Sequence, residues 1–346
     1  MKKKVLLGIA LILGILVNVS AADPLVDTYA YPAHDGYKFQ NNWIFSNQLS
    51  NYTPKIGYTA TVRGMAATNG KMLFCKTNKM IKIADGTTGI LLDSITLANN
   101  VFTYLGRNKA DTADSTYTTP NPCTDIHVDD AGNVLVSNVL IPFKPDSTKV
   151  GFRWQVWKID VTTNTGTPVI DFGINPNPSL RLDLFGVWGD VNNYAIIMAA
   201  DNNTITPSPT TNPQVYKWTI TNGVAGAPEI IAIDNTKFAL TNLTSFGGMA
   251  RIWPMENYFY IDSWNPAGFH LYRFNYSGNL IDGFYKNTTA LTDTTTLPGT
   301  RFGMDNTNNG VKEFKIGSDN FLVLSAAGPI SGGTPKSSFR IFKFAD

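Results

Sequence analysis

Carboxylate side chains are the first candidates for chemistry in this sequence. Asp125, Asp183 and Asp190 lie on or beside segments that alternate apolar and polar residues, as β-strands do. An enzyme that cleaves polysaccharides needs two carboxyl groups roughly 5 to 10 Å apart, one of which acts as an acid. These three aspartates are therefore the candidate catalytic residues of a hydrolase or lyase. Aspartate is also frequent in turns, so catalysis requires that the three side chains converge in one pocket.

Tryptophan side chains suggest a second kind of site, one that binds without catalysis. Trp264 stands next to Asn265 and close to Asp262, where a predicted strand enters a loop. An exposed indole covers the C–H face of a sugar, and Asp and Asn side chains can bond its hydroxyl groups. Trp188 and Trp253 occupy similar places on two further predicted strands and are the other candidate ligand-binding rings. The alternative is that these rings fill the core, because aromatic residues supply much of any buried area.

Histidine residues give little support for a metal or a cofactor. His34, His127 and His270 lie on separate segments without the spacing of zinc ligands, and only His127 is a candidate for ligand binding. The turn at Asp129–Asn133 carries oxygen ligands that suit calcium, but the rest of an EF-hand pattern is missing. The sequence also lacks a P-loop, a dinucleotide-binding glycine motif and a G-x-S-x-G motif. We therefore expect neither a metal nor a cofactor.

Cys75 and Cys123 are the two cysteines of the chain. In an oxidising compartment they could form a disulfide. The alternative is a pair of buried, unpaired thiols that pack as small hydrophobic groups. Because a disulfide has strict geometric requirements, the sequence leaves both alternatives open.

A short motif that recurs five times predicts the elements that must position these residues. Each copy places one basic residue between two large apolar ones, which is the period-2 pattern of a strand in a packed sheet. The basic residues are Lys82, Lys158, Lys217, Arg273 and Lys343, at intervals of 56 to 76 residues. Other strand-like segments lie on both sides of each copy. The sequence therefore predicts an all-β chain with one small sheet per repeat, arranged radially as the blades of a β-propeller.

We predict five four-stranded blades. The fifth repeat ends with the chain and lacks an outer strand, whereas the strand-like segment 43–49 has no place in the first repeat. An unpaired edge exposes backbone donors and acceptors, so we expect this N-terminal strand to pair with the strand at 339–344 and close the ring. Six blades or an irregular β-sandwich are the alternatives. Long stretches rich in Thr, Asn, Asp and Pro at 105–122, 201–213 and 287–300 are predicted loops, where binding often resides.

The N-terminus has the pattern of a secretory signal peptide. Lys2, Lys3 and Lys4 precede an apolar run of 13 residues, and small residues follow up to Ala22. The run is shorter than the ~20 residues that a membrane-spanning helix needs. We expect cleavage after residue 21 or 22, a single mature domain at 23–346 in the periplasm or at the cell surface, and no membrane insertion afterwards. The net charge of +2 gives no electrostatic case for binding nucleic acid.

Three features together resemble uncharacterised secreted β-propeller proteins of gut Bacteroidetes. They are the exported chain, turns of the Asp-x-x-x-Gly type such as Asp85–Gly89, and strands such as Tyr272-Arg273-Phe274. The resemblance covers nearly the whole mature chain and rests on architecture. It implies a periplasmic or surface location and a link to the use of glycans, and it transfers no functional residue.

Three functions are consistent with the sequence. The first is a non-catalytic propeller that binds a carbohydrate or a protein partner outside the cytoplasm. The second is a polysaccharide-active hydrolase or lyase that uses the inner-strand carboxylates. The third is a structural or assembly module. Convergence of Asp125, Asp183 and Asp190 would favour the second, and exposed aromatic rings flanked by polar groups would favour the first.

Overall fold

The structure of this chain is a computed structural model that describes residues 64–76, 78–106, 115–119, 122–140, 153–173, 180–201, 214–233, 251–262, 270–286, 299–302, 308–328 and 336–343. Within these ranges the chain forms β-strands and turns and no helix, which confirms the all-β prediction. The signal peptide, the predicted closing strand at 43–49 and Trp264 lie outside the described residues. Nothing helical in the described ranges is long and apolar enough to cross a membrane.

Five sheets follow one another along the chain, and each is built from consecutive strands. Sheet 1 contains β1 to β4, at Gly64–Thr68, Lys71–Lys76, Met80–Asp85 and Leu91–Thr96. A separate hairpin contains β5 and β6, at Thr103–Gly106 and Ser115–Thr118. Sheet 2 contains β7 to β10, at Asp125–Val128, Val134–Ser137, Arg153–Asp160 and Thr165–Gly173.

Sheets 3 to 5 complete the described architecture. Sheet 3 contains β11 to β15, at Leu182–Asp190, Tyr194–Asp201, Gln214–Thr221, Val224–Ala225 and Glu229–Ala232. Sheet 4 contains β16 to β20, at Ile252–Pro254, Tyr258–Asp262, His270–Asn275, Leu280–Lys286 and Gly299–Phe302. Sheet 5 contains β21 to β23, at Asn308–Ile316, Asp319–Gly328 and Lys336–Lys343. Neighbouring strands are antiparallel except for β19 and β20, which pair in parallel.

The repeated basic motif forms the third strand of every sheet. Its five copies lie on β3, β9, β13, β18 and β23, and no two copies share a sheet. In β13 the flanking rings of Tyr216 and Trp218 are buried, whereas Lys217 between them is half-buried. The Lys217 ammonium lies 4.8 Å from the centre of the Tyr276 ring, so its aliphatic stem is partly covered while its charge keeps a partner. The prediction of one motif per sheet is confirmed.

Each hydrophobic core lies between two consecutive sheets. Along β12, Ile196 and Met198 pack toward sheet 4, whereas Ile197 and Ala199 pack toward sheet 2. The alternation of side chains along a strand thus buries both faces of sheet 3. Sheets 1 and 2 share a core of the same kind, and so do sheets 4 and 5. The first strands of consecutive sheets also touch, β1 against β7, β7 against β11 and β11 against β16.

Two glycines allow this close approach of the first strands. A methyl group at Gly64 on β1 would lie 2.6 Å from the backbone nitrogen of Ile126 on β7. A methyl group at Gly186 on β11 would meet the carbonyl oxygen of Ile252 and lie 2.7 Å from Cδ of Pro254 on β16. Because backbone atoms cannot turn aside as the end of a side chain can, both positions require glycine.

The structure differs from the sequence-based prediction in four elements. Strands β5 and β6 occupy part of the predicted loop 105–122, and β20 begins where the predicted loop 287–300 ends. Strand β14 is only two residues long, too short to leave a periodic pattern. Sheets 3 and 4 therefore have five strands instead of four. Sheet 5 has three described strands, as expected from the missing outer strand, and its predicted N-terminal partner lies outside the described residues.

Cys75 and Cys123 are free thiols, so the disulfide alternative is wrong for this structure. Both are buried in the core between sheets 1 and 2. Burial raises the pKa of Cys123 from 9.0 to about 12, and burial also raises the pKa of Cys75. Both side chains therefore pack as neutral thiols among apolar groups.

We predict that Gly186→Ala destabilises the protein by about 3 kcal/mol, because the added methyl group overlaps backbone of the neighbouring sheet. Gly226→Ala is the matched control, since its methyl group would make an ordinary 3.6 Å contact with the Thr219 carbonyl oxygen. Urea denaturation of both variants measures the effect. Equal midpoints for the two variants would show that β11 and β16 do not approach this closely.

We also predict that neither thiol reacts with a thiol-specific reagent at pH 8 in the folded protein. The thiolate is the nucleophile, and burial both excludes the reagent and keeps the proton on sulfur. In guanidinium chloride without reductant both cysteines should react. Rapid labelling of the folded protein would show that the thiols are not buried. Fewer than two reactive thiols after denaturation would show that they are not free.

Candidate functional site

Asp125 joins sheet 2 to sheet 3 at the start of their first strands. Asp125 is the first residue of β7, the strand that touches β11, and it is only 1% exposed. One carboxylate oxygen accepts the backbone N–H of Phe185 on β11 at 3.1 Å. The same oxygen lies 3.1 Å from Nε2 of His127, and the other accepts the N–H of Ile126 at 3.1 Å. A buried carboxylate is stable in a fold when its oxygens have such donors.

His127 has a structural environment of its own. Its ring lies 4.6 Å from the Phe185 ring, centre to centre, in an edge-on arrangement, and it is only partly exposed. The imidazole is therefore held between the Asp125 carboxylate and an aromatic ring of the next sheet. This candidate ligand-binding residue thus lies beside a candidate catalytic carboxylate, in contact with groups of the protein itself.

Asp183 and Asp201 form a second buried carboxylate pair at the same end of sheet 3. Asp183 is fully buried and makes a forked contact with Nε of Arg181, at 2.8 and 3.0 Å to its two oxygens. The backbone N–H of Arg181 donates to Oδ1 of Asp201 at 3.2 Å. Strand pairing sets this arrangement, because Leu182 pairs with Asp201 at the ends of β11 and β12. Buried charges of this kind need a partner, and Arg181 supplies one.

The opposite end of sheets 2 and 3 is joined by the turns β7–β8 and β11–β12. We call Asp129, Asp130, Asn133, Asp190 and Asn192 the turn network. Asp129 accepts the N–H of Val191 at 2.9 Å, and Asp130 accepts the N–H of Gly189 at 2.9 Å. Asn133 donates to Asp190 at 3.3 Å and accepts from Asn192 at 3.1 Å. The two turns therefore form one hydrogen-bonded unit.

The turn network explains the calcium-like pattern at Asp129–Asn133. The Asp129 carboxylate accepts the N–H groups of Ala131 and Asn133 at 3.0 and 2.8 Å, and the Asn133 amide at 2.8 Å, besides Val191. Four donors occupy its oxygens, so the carboxylate closes its own turn and does not face outward as a metal ligand. Among the described residues no group of three or more His, Cys, Asp or Glu side chains is placed to hold a metal ion.

The three candidate catalytic carboxylates do not come together. Asp183 and Asp190 lie at opposite ends of β11, seven residues apart, which is about 23 Å along a strand. Asp190 accepts the backbone N–H of Asn192 and the side-chain amides of Asn133 and Asn193. Asp125 and Asp183 share one end of the sheets, but each is buried and bonded to donors of the protein. The arrangement is that of carboxylates that connect strands.

The predicted aromatic residues occupy different environments. Trp253 is 8% exposed and packs in the core between sheets 4 and 5 with Tyr260 and Leu271. Trp188 is partly exposed and contacts Tyr194 edge-on, with ring centres 6.3 Å apart. Asp262 ends β17 and pairs with Leu271, and Trp264 lies outside the described residues. Of the candidate rings in the described ranges, Trp188 is the one beside solvent.

Sheets 4 and 5 are joined by phenol groups and a carboxylate. The hydroxyls of Tyr258 and Tyr260 both donate to Glu313 on β21, at 2.8 Å. Burial, together with Glu313, raises the pKa of Tyr258 to about 12 and raises the pKa of Tyr260. Both phenols therefore keep their protons, and Arg273 lies 5.0 Å from the centre of the Tyr258 ring in an ion pair with Asp282. This interface, like the others, uses polar groups to connect strands.

The sequence did not single out Arg181, Asp201, Tyr194 or Asn192. Arg181 lies two residues before Asp183, the spacing that places two side chains on one face of a strand, and that signal could have been used. Tyr194 follows the Asn192-Asn193 turn at the first position of β12, where an aromatic ring stands at a strand end. The partners of Asp201 and Asn192 depend on strand pairing and are not visible in the sequence.

A comparison with protein families finds one similarity. The family described as a domain of unknown function (DUF8500) matches residues 118–250, less than half of the chain. The matched segment contains all strands of sheets 2 and 3, together with Asp125, the turn network and Trp188. No curated protein matches the chain. The similarity therefore covers the two sheets that share the most polar interface described above.

We predict that Asp125→Asn destabilises the protein by about 1 to 3 kcal/mol, because an amide nitrogen cannot accept the N–H of Phe185. Asp93→Asn is the control, since Asp93 is exposed and bonds only the N–H of the next residue, Ser94, among described groups. Thermal unfolding followed by circular dichroism measures both. An Asp125→Asn protein as stable as the control would mean that Asp125 does not connect the two sheets.

Proposed function

We propose that this chain is an exported, non-catalytic β-propeller that binds a carbohydrate outside the cytoplasm. The proposed ring has five blades, formed by sheets 1 to 5, and the N-terminal strand at 43–49 completes the fifth blade beside β23. The observation that carries the proposal is the use of the inner carboxylates. Asp125 and Asp190 connect sheets 2 and 3, Asp183 is buried against Arg181, and the three are not gathered at one end of β11.

The radial arrangement is supported by the order of contacts between sheets. The first strands touch in sequence order, β1 to β7, β7 to β11 and β11 to β16, and each pair of consecutive sheets shares a core. Sheets 2, 3 and 4 are therefore covered on both faces by their neighbours in the chain. Such an order is expected when sheets are repeated around an axis.

Binding is favoured over catalysis by the state of the carboxylates. A glycoside hydrolase needs one carboxyl group that gives a proton and another that is free to act as base or nucleophile. Asp125 is buried and accepts the N–H of Phe185, Asp183 is buried and accepts from Arg181, and Asp190 belongs to the turn network. Each of the three is therefore engaged by groups of the protein, which supports a binding function over catalysis.

Export is supported by the basic and apolar pattern of residues 2–17 and the small residues that follow. Free buried thiols are compatible with export, because burial protects them from oxidants. An exported scaffold whose sheets are held rigidly is suited to presenting side chains to a glycan at the cell surface or in the periplasm.

The proposal is tested with the mature chain, residues 23–346, on a glycan array, together with an assay for released reducing ends or unsaturated products. We expect binding to at least one class of glycan and no product beyond the level seen with heat-inactivated protein. Product formation that Asp125→Asn or Asp183→Asn abolishes would establish an enzyme instead. If the array shows no binding and the chain instead captures a protein from the native periplasm or cell surface, carbohydrate binding is contradicted and a protein partner is favoured.

A further inference from the structure

The structure assigns a carbohydrate platform to the turn end of sheet 3. We infer that the ring of Tyr194, backed by Trp188 and bordered by the amides of Asn192 and Asn193, is the surface on which an uncharged sugar stacks. This inference rests on the proposed function and gives it a location and a ligand class. We call Trp188, Asn192, Asn193 and Tyr194 the aromatic platform.

Tyr194 supplies the exposed ring. It is 49% exposed and packs against another ring. The planes of Tyr194 and Trp188 are inclined at 80°, so the two rings meet edge-on. Trp188 itself packs against the core between sheets 3 and 4. Among the residues that the structure describes, none accepts a hydrogen bond from the Tyr194 hydroxyl.

The polar border is held in place before any ligand arrives. The Asn192 side chain accepts from Lys158 at 2.6 Å and donates to Asn133 at 3.1 Å. The Asn193 amide donates to Asp190, and the Asn193 carbonyl accepts the N–H of Asn222 at 2.8 Å. Groups that are already ordered lose little entropy on binding, so their hydrogen bonds contribute more to affinity.

Polarity indicates an uncharged ligand. Three carboxylates belong to the turns beside the platform, and each accepts donors of these turns: Asp129, Asp130 and Asp190. Their negative charge disfavours an anionic ligand. The charge of Lys158 is directed at Asn192. The platform offers a ligand an aromatic face, a phenol hydroxyl and the hydrogen-bonding capacity that the already bonded amides retain, and these match the C–H face and the hydroxyl groups of a neutral sugar.

The test is affinity electrophoresis of the mature chain in gels that contain starch, mixed-linkage β-glucan or galactomannan, with polygalacturonate as the acidic comparison. We expect at least one neutral polysaccharide to retard the wild type. Tyr194→Ala should weaken that binding about tenfold, the loss of roughly 1.4 kcal/mol of stacking, whereas Tyr194→Phe keeps the ring and should bind within about threefold of wild type. Ile230→Ala is the matched control, since Ile230 is exposed on β15 of the same sheet, away from the platform.

Each outcome decides the inference. Retardation that is equal in wild type and Tyr194→Ala would overturn the platform and leave carbohydrate binding standing. Retardation by polygalacturonate alone would overturn the uncharged ligand class. If no polysaccharide retards the wild type and the glycan array is also empty, the platform and the proposed function fail together. Unchanged thermal unfolding of Tyr194→Ala shows that a loss of binding does not come from unfolding.

Discussion

Backbone N–H groups on the first strand of sheet 3, and that of Val191 directly after it, have no strand to pair with on the side that faces sheet 2. Aspartates of sheet 2 take the place of that strand, since Asp125, Asp129 and Asp130 accept the N–H groups of Phe185, Val191 and Gly189. A buried N–H without an acceptor would cost free energy comparable to a lost hydrogen bond. These hydrogen bonds connect the two sheets, and the residues that they join lie about 60 positions apart in the chain.

The polar groups that meet this requirement hold the sheets together, and they differ from the groups that we propose to bind a ligand. Carboxylates that a sequence motif would suggest for acid–base chemistry are used to hold sheets together, and glycines at the first strands allow the backbones to approach. Glu313 plays a comparable part between sheets 4 and 5 by accepting two phenol hydroxyls. We propose that a ligand meets the turn end of sheet 3, at the exposed ring of Tyr194 and the amides of the turn.

Much of the fold was predictable because its signal is local. The basic motif predicted the third strand of each sheet. The β1–β2 turn also has a local signal, because Asn69 and Gly70 tolerate the positive φ, 48° and 70°, that they adopt there. The short hairpin β5–β6 was missed, because its Thr- and Gly-containing strands of four residues have the composition of a loop. The site was less predictable for a physical reason. Whether Asp125 is a catalyst or a strand partner depends on Phe185, and whether Trp188 or Trp253 is exposed depends on which sheet covers it.

Residue-resolved amide hydrogen exchange by NMR, for β11 and the turn after it, tests whether aspartates of sheet 2 bind the backbone N–H groups of sheet 3. Phe185 and Val191 donate to the carboxylates of Asp125 and Asp129, so those two amides are protected only if the interface between sheets 2 and 3 forms. The account predicts slow exchange for both in the wild type, as slow as for amides inside the strand ladders, and selectively faster exchange of Phe185 in Asp125→Asn. Exchange of both amides at the rate of an exposed turn in the wild type would contradict it.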